Sequence, residues 1–163
     1  MGKSHPWFNN IWTVQHIRGN QVIWEVDKEN TITNAGERSI LNSYFKGIEA
    51  PPEFYIRLAS GYIGVSDTLA TIKGEPSGNG YAPILIERSI VGFPKLELIE
   101  GDYRLVSKTV QFSSTGSWVP VNYIFLATTL DSSGVLVAAL NLSTERSLIS
   151  GDILQVAFKI RLR

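Results

Sequence analysis

From residue 154 to residue 162 every second side chain is apolar: Leu154, Val156, Phe158, Ile160 and Leu162. Gln155, Ala157, Lys159 and Arg161 fill the alternate positions, and Arg163 continues them. A period of two is that of a β-strand with one face in a core and the other in water. A stretch this regular commits the chain to a sheet.

Other strand-like runs lead up to it. Residues 11–17 and 22–26 form an N-terminal hairpin around Arg18-Gly19-Asn20-Gln21, where Gly and Asn tolerate the positive φ of a tight turn. In the first of these runs Trp12, Val14 and His16 share one face. Residues 54–59 alternate, and residues 81–87 form a strand that Pro83 confines to a sheet edge or a bulge. Residues 96–99 and 103–110 flank the turn Glu100-Gly101-Asp102, and residues 121–128 and 135–142 flank Asp131-Ser132-Ser133-Gly134. About nine or ten strands with such regular turns predict a mainly β chain folded as an antiparallel β-sandwich, of which the jelly roll is one form. Residues 60–80, with five glycines and Pro76, read as a long loop with a helical turn at 68–72, of a length that tends to be functional or mobile.

One helix interrupts this pattern, at about 34–46. Asn34 is placed to cap it, with Glu37 reaching back to the Asn34 amide. Gly47 ends it and Pro51-Pro52 forbid its continuation. Ile40, Leu41, Tyr44 and Phe45 share one face, which is expected to be buried on the sheet. The chain therefore divides into an extended arm, residues 1–10, and one β-sandwich domain, residues 11–163, that includes hairpin 11–26 and helix 34–46.

Composition narrows the function classes. Lys plus Arg number 15 and so do Asp plus Glu. A net charge of zero lacks the basic excess of a nucleic-acid binder. The charged fraction of 18% lies below the roughly 25% usual for soluble domains, as expected of a large core or of a surface covered by other chains. No apolar window is long enough for a membrane helix. Without cysteine there is no thiolate nucleophile or thiolate metal site. The two histidines, His5 and His16, have no partner at ligand spacing, so no metal site is expected. Residues 74–81, GEPSGNGY, lack the Lys-Ser/Thr of a phosphate loop. Glu97, Glu100 and Asp102 gather at one turn, and Glu53 and Glu87 flank strands, but catalysis by carboxylates needs a pair facing across a cleft. No catalytic residue and no cofactor is assigned.

The arm carries Trp7 and Phe8, with Ile11 and Trp12 just beyond. Large rings are unusual in a solvated tail. Either they fold back on their own domain or they dock on a neighbouring subunit. The second reading makes Trp7, Phe8, Ile11 and Trp12 candidate inter-subunit contacts.

Several short motifs recur in order: Thr33-Asn34-x-Gly36 at the helix start, Tyr55 and Leu58 in a strand, Gly80-Tyr81-Ala82 before the next, and Gly151-Asp152-x-Leu154 opening the last. In this series, over roughly residues 12–162, the chain resembles small virion structural proteins of tailed bacteriophages. Pro83 stands where such proteins often carry Arg, so no role tied to that Arg is transferred. The resemblance implies a non-enzymatic virion component that works with other virion proteins. A capsid decoration (cement) protein, homo-oligomeric and bound to the major capsid protein, is the first expectation. A tail, neck or fibre component is the second, and a β-sandwich glycan-binding or hydrolytic module the third.

Overall fold

The computed structural model describes residues 8–162. Eleven strands and one helix follow in the order β1 (Phe8–Arg18), β2 (Gln21–Glu29), β3 (Thr31–Ile32), α1 (Asn34–Phe45), β4 (Glu53–Ala59), β5 (Ile84–Glu87), β6 (Lys95–Ile99), β7 (Asp102–Val106), β8 (Val110–Ser113), β9 (Val121–Ala127), β10 (Leu136–Arg146) and β11 (Ile153–Leu162). They build two antiparallel sheets. One runs β2-β1-β11-β7-β6, with β8 also paired to β11; the other runs β3-β10-β9-β4-β5. The chain is thus mainly β, a sandwich with a single helix.

The two sheets meet through the alternate residues of their strands. Trp12 and Val14 of β1 and Leu154, Val156 and Phe158 of β11 pack against Ile56, Leu58, Ile124, Leu126 and Leu140 of the other sheet. Trp12 and Phe158 are register partners, and their rings stack at 4.8 Å. The face shared by Trp12, Val14 and His16 is the core face, and each of the three is almost fully buried. Gly19 and Asn20 take the positive φ values, +55° and +64°, that the hairpin turn requires.

Several expectations need correction. Of the arm expected at residues 1–10, residues 1–7 lie outside the described residues, and residues 8–10 are the first residues of β1, paired with Leu162, Arg161 and Ile160. The ladder satisfies their backbone, so the strand extends past the point where side-chain alternation becomes readable. The strand expected from residue 81 begins only at Ile84, and β5 is an edge strand, as a donor-less Pro83 demands. Leu162, the last apolar residue of the C-terminal alternation, is 68% exposed.

The helix differs most from expectation. Its N-cap is Thr33, whose hydroxyl accepts from the Gly36 N–H at 3.0 Å, and not Asn34. The Asn34 N–H donates to the Val65 carbonyl at 2.8 Å and has no need of Glu37. Thr33 is buried and also donates to the Leu136 carbonyl, so the helix start is bolted to β10. Gly36 lies so close to β10 that a Cβ there would meet the Val137 carbonyl oxygen at 2.1 Å. Only this first turn is held so tightly. Leu41, Tyr44 and Phe45 are not buried on the sheet; Tyr44 is 82% and Phe45 76% exposed.

The loop at residues 60–80 is built into the fold. Ile63 and Leu69 are buried against Tyr123, Phe125 and Ala127 of β9 and cover the outer face of the second sheet. Main-chain bonds from Ser60 to Gly74 at 2.8 Å and from Gly61 to Lys73 at 3.0 Å close its base.

Candidate functional site

The core-facing side of the first sheet is longer than the second sheet can cover. Directly opposite residues of an antiparallel ladder share a face, as do residues two apart along a strand. Trp12 and Phe158 form a covered row. The next row contains Asn10, Ile160, Leu105 and Leu96, joined by register across β1, β11, β7 and β6. The row beyond holds the Phe8 and Leu162 positions, which pair, and Tyr103 and Leu98, which also pair. Leu96, Leu98, Tyr103 and Leu162 of these rows are exposed. They make an apolar ledge at one end of the sandwich.

Helix α1 overhangs this ledge. A groove of about 820 Å³ separates them, with Leu41, Tyr44 and Phe45 on the helix side and Tyr103, Leu105 and Leu162 on the sheet side. The apolar face read from the sequence is therefore real, but it faces a gap with a second apolar wall. Tyr44 and Phe45 contact each other edge to face at 5.0 Å. Glu37 and Asp102 also line the groove. Among the described residues the two apolar walls leave a contiguous exposed apolar area, the kind of surface that marks interaction sites on proteins in general.

The candidate inter-subunit residues divide. Trp7 lies outside the described residues. The Phe8 backbone pairs with Leu162 of its own chain, beside the ledge. Ile11 is half-buried in a register position between Lys159 and Glu29. Trp12 is fully buried in the core against Phe158, which removes it from the inter-subunit contacts.

At the other end of β1 lies a polar cluster that the sequence did not announce. Asp152 is buried and accepts four bonds: from Arg18 Nε at 2.8 Å and Nη2 at 2.7 Å, from the Ile149 N–H at 3.0 Å and from His16 Nε2 at 2.9 Å. The Arg18 guanidinium, helped by the Ile149 amide and His16, holds the Asp152 carboxyl well below the usual carboxylate range against the opposing effect of burial. Arg146 points its Nε at His16 Nδ1, 3.2 Å away, and lies over the Trp24 ring at 4.8 Å. Burial, with Arg18 nearby, pushes the Arg146 guanidinium down from its ordinary value. A guanidinium can only donate. Nδ1 therefore accepts and the His16 proton sits on Nε2, donated to Asp152. Both ring nitrogens are thus engaged, and no imidazole lone pair is left to activate a hydroxyl or water. This His–Asp pair fastens β1 to the turn before β11. A histidine on the apolar face of a strand was the available signal, because a buried imidazole needs polar partners.

A second cluster pins the long loop. Arg57 binds Glu75 through two parallel bonds, 2.9 Å from Nε and 2.5 Å from Nη2. The Tyr81 hydroxyl donates to Glu75 at 2.7 Å and accepts from the Leu58 N–H at 3.0 Å. Burial pushes the Tyr81 phenol well above its ordinary value. The motif position Tyr81 thus ties strand β4 to the loop.

The carboxylates singled out in the sequence lie along the sheets and at a turn. Glu53 and Glu87 are register partners on β4 and β5, side by side at a sheet edge. Glu97 sits opposite Arg104, and Glu100 approaches Arg104 at 4.0 Å. Among the described residues no group of three or more His, Asp or Glu side chains could hold a metal ion, and no helix is long and apolar enough to cross a membrane. No protein-family model matches the chain, and no curated protein matches it.

Proposed function

We propose that this chain is a non-enzymatic structural component of a tailed-bacteriophage virion, a capsid decoration protein that binds the assembled shell. The observation that carries a docking role is the apolar ledge under α1, where exposed Tyr44 and Phe45 face exposed Tyr103 and Leu162. The motif series from Thr33 to Leu154 supports the virion context by resemblance. Two of its members have structural duties that such a protein needs: Asp152 locks the hairpin to β11, and Tyr81 locks the loop. The partners are then other virion proteins, the major capsid protein first, together with further copies of this chain.

The test uses shells stripped of this chain. Wild-type protein should co-sediment with them. A Tyr44→Ser, Phe45→Ser double variant should keep its circular dichroism and melting temperature, since both side chains are exposed, yet bind at least about tenfold more weakly, the effect of losing a modest interface anchor. Equal binding by the variant would remove the ledge from the docking face. Absence of the chain from purified particles would remove the virion assignment.

A further inference from the structure

Strand β6 is the outer strand of its sheet, and among the described residues nothing pairs with its far side. Natural edge strands are usually shielded by charge, proline or a bulge. This one follows Pro94 and carries Lys95 and Glu97, charges of opposite sign that a second copy can pair, while its other face presents exposed Leu96 and Leu98; a tight hairpin follows, with Glu100 and Gly101 at φ +52° and +86°. A two-residue turn of this type makes its flanking residues, Ile99 and Asp102, a hydrogen-bonded pair. Bonding then alternates along the ladder. Glu97–Arg104 and Lys95–Val106 are the next bonded pairs, whereas Leu96 and Leu98 turn their N–H and C=O groups to the open edge.

We infer that two copies of this chain join edge to edge through β6, antiparallel about a two-fold axis at Leu96. Charge selects this register. With Leu96 opposite its own copy, Lys95 stands opposite Glu97 of the second copy, and Glu97 opposite its Lys95. Shifting the axis to Glu97 would place two carboxylates face to face, which is destabilising. In the chosen register the two Leu96 residues exchange both main-chain bonds. Leu98 N–H reaches the carbonyl of Pro94 in the second copy; proline has no N–H to return, so this outer pair makes one bond and the Leu98 carbonyl stays with water at the end of the shared ladder. The two ledges become one continuous apolar floor, with Leu96 and Leu98 from both copies at its centre. A self-complementary patch of this kind is what a two-fold interface requires. This inference rests on the β6 edge and its charges, not on the virion assignment.

Sedimentation of the full chain over a concentration series tests it. Wild type should form dimers. Leu96→Pro removes an N–H that points to the open edge and makes no ladder bond among the described residues, so it should leave the fold intact by circular dichroism and give monomers. Lys95→Glu alone should give monomers, because the new carboxylate at position 95 meets Glu97 of the second copy, and so should Glu97→Lys alone. An equimolar mixture of those two variants should dimerise, since every cross-strand pair becomes opposite in sign. A monomeric wild type, a dimer that survives Leu96→Pro, or single-charge variants that still dimerise would each overturn the proposal. Should Glu97→Lys weaken the hairpin by facing Arg104, Leu96→Pro and Lys95→Glu still decide the matter.

Discussion

Replacing Asp152 by Ala should be the costliest polar substitution in the molecule. The carboxylate is 1% exposed and accepts from three different groups. Arg18 has a side chain 45% exposed and can turn to water when its partner is lost. The His16 Nε2–H and the Ile149 N–H cannot do so as easily. Each stranded donor costs about 1–3 kcal/mol, so Asp152→Ala should lose about 2–6 kcal/mol, a large share of the roughly 5–15 kcal/mol that stabilises a domain. Asp152→Asn keeps one acceptor and should lose less. The pH dependence has a definite sign. The folded Asp152 carboxyl titrates below its unfolded value. Its contribution is therefore complete above the unfolded value of about 4 and is lost as pH falls through the lower folded value. Urea titrations followed by tryptophan fluorescence should show a large wild-type advantage over Asp152→Ala at pH 7 that shrinks below about pH 4. An unchanged midpoint at pH 7, or a difference that stays constant into acid, would refute this account of the cluster.

Trp12→Ala and Leu41→Ala separate core from groove. The first should cost about 3–5 kcal/mol, as for a large buried ring, and the second, at a half-exposed site, only about 1 kcal/mol, both read by chemical denaturation of the isolated chain. Gly36→Ala should pry α1 from β10, because its Cβ would meet Val137 O at 2.1 Å; faster hydrogen exchange confined to residues 34–45 is the expected signature, and unchanged exchange there would disprove the close contact. Tyr81→Phe strands the Leu58 N–H and frees Glu75 from one donor, so about 1–3 kcal/mol should be lost and proteases should cut earlier within residues 60–80.

Where local chemistry decides the outcome, the sequence was readable. The alternation in β11 as far as Phe158, the Gly19-Asn20 turn and the brake that Pro83 puts on β5 are short-range consequences of backbone geometry, and each appears in the fold; past Phe158 the alternation fails, with Arg161 buried and Leu162 exposed. The two-residue strand β3 was not readable, because Thr31–Ile32 has no pattern of its own and exists only as a partner for Ala138 and Ala139 of β10. The helix cap failed for a similar reason. Asn34 and Thr33 are both good N-caps by type, and a distant group, the Val65 carbonyl, decided between them by taking the Asn34 N–H.

The apolar face of α1 shows why periodicity identifies a buried face without identifying what buries it. Ile40, Leu41, Tyr44 and Phe45 have the spacing of a core-facing stripe, and that spacing is equally satisfied by a second chain. The make-up of the opposite wall bears on the question. A helix lifted from its sheet by accident would leave a mixed or polar surface behind. Here the opposite wall is Leu96, Tyr103, Leu105, Ile160 and Leu162, a continuation of the core-facing rows of three strands. Both walls are apolar and only the first turn of the helix is clamped, by Thr33 and Gly36. An opening of this form keeps the rings of Tyr44 and Phe45 available. If it is a docking surface, filling it from inside should abolish docking without harming the fold. Leu105→Trp, from a half-buried wall position, should raise or preserve the melting temperature while shell binding falls by at least about tenfold. Retained binding alongside a raised melting temperature would mean that the groove is only a packing defect.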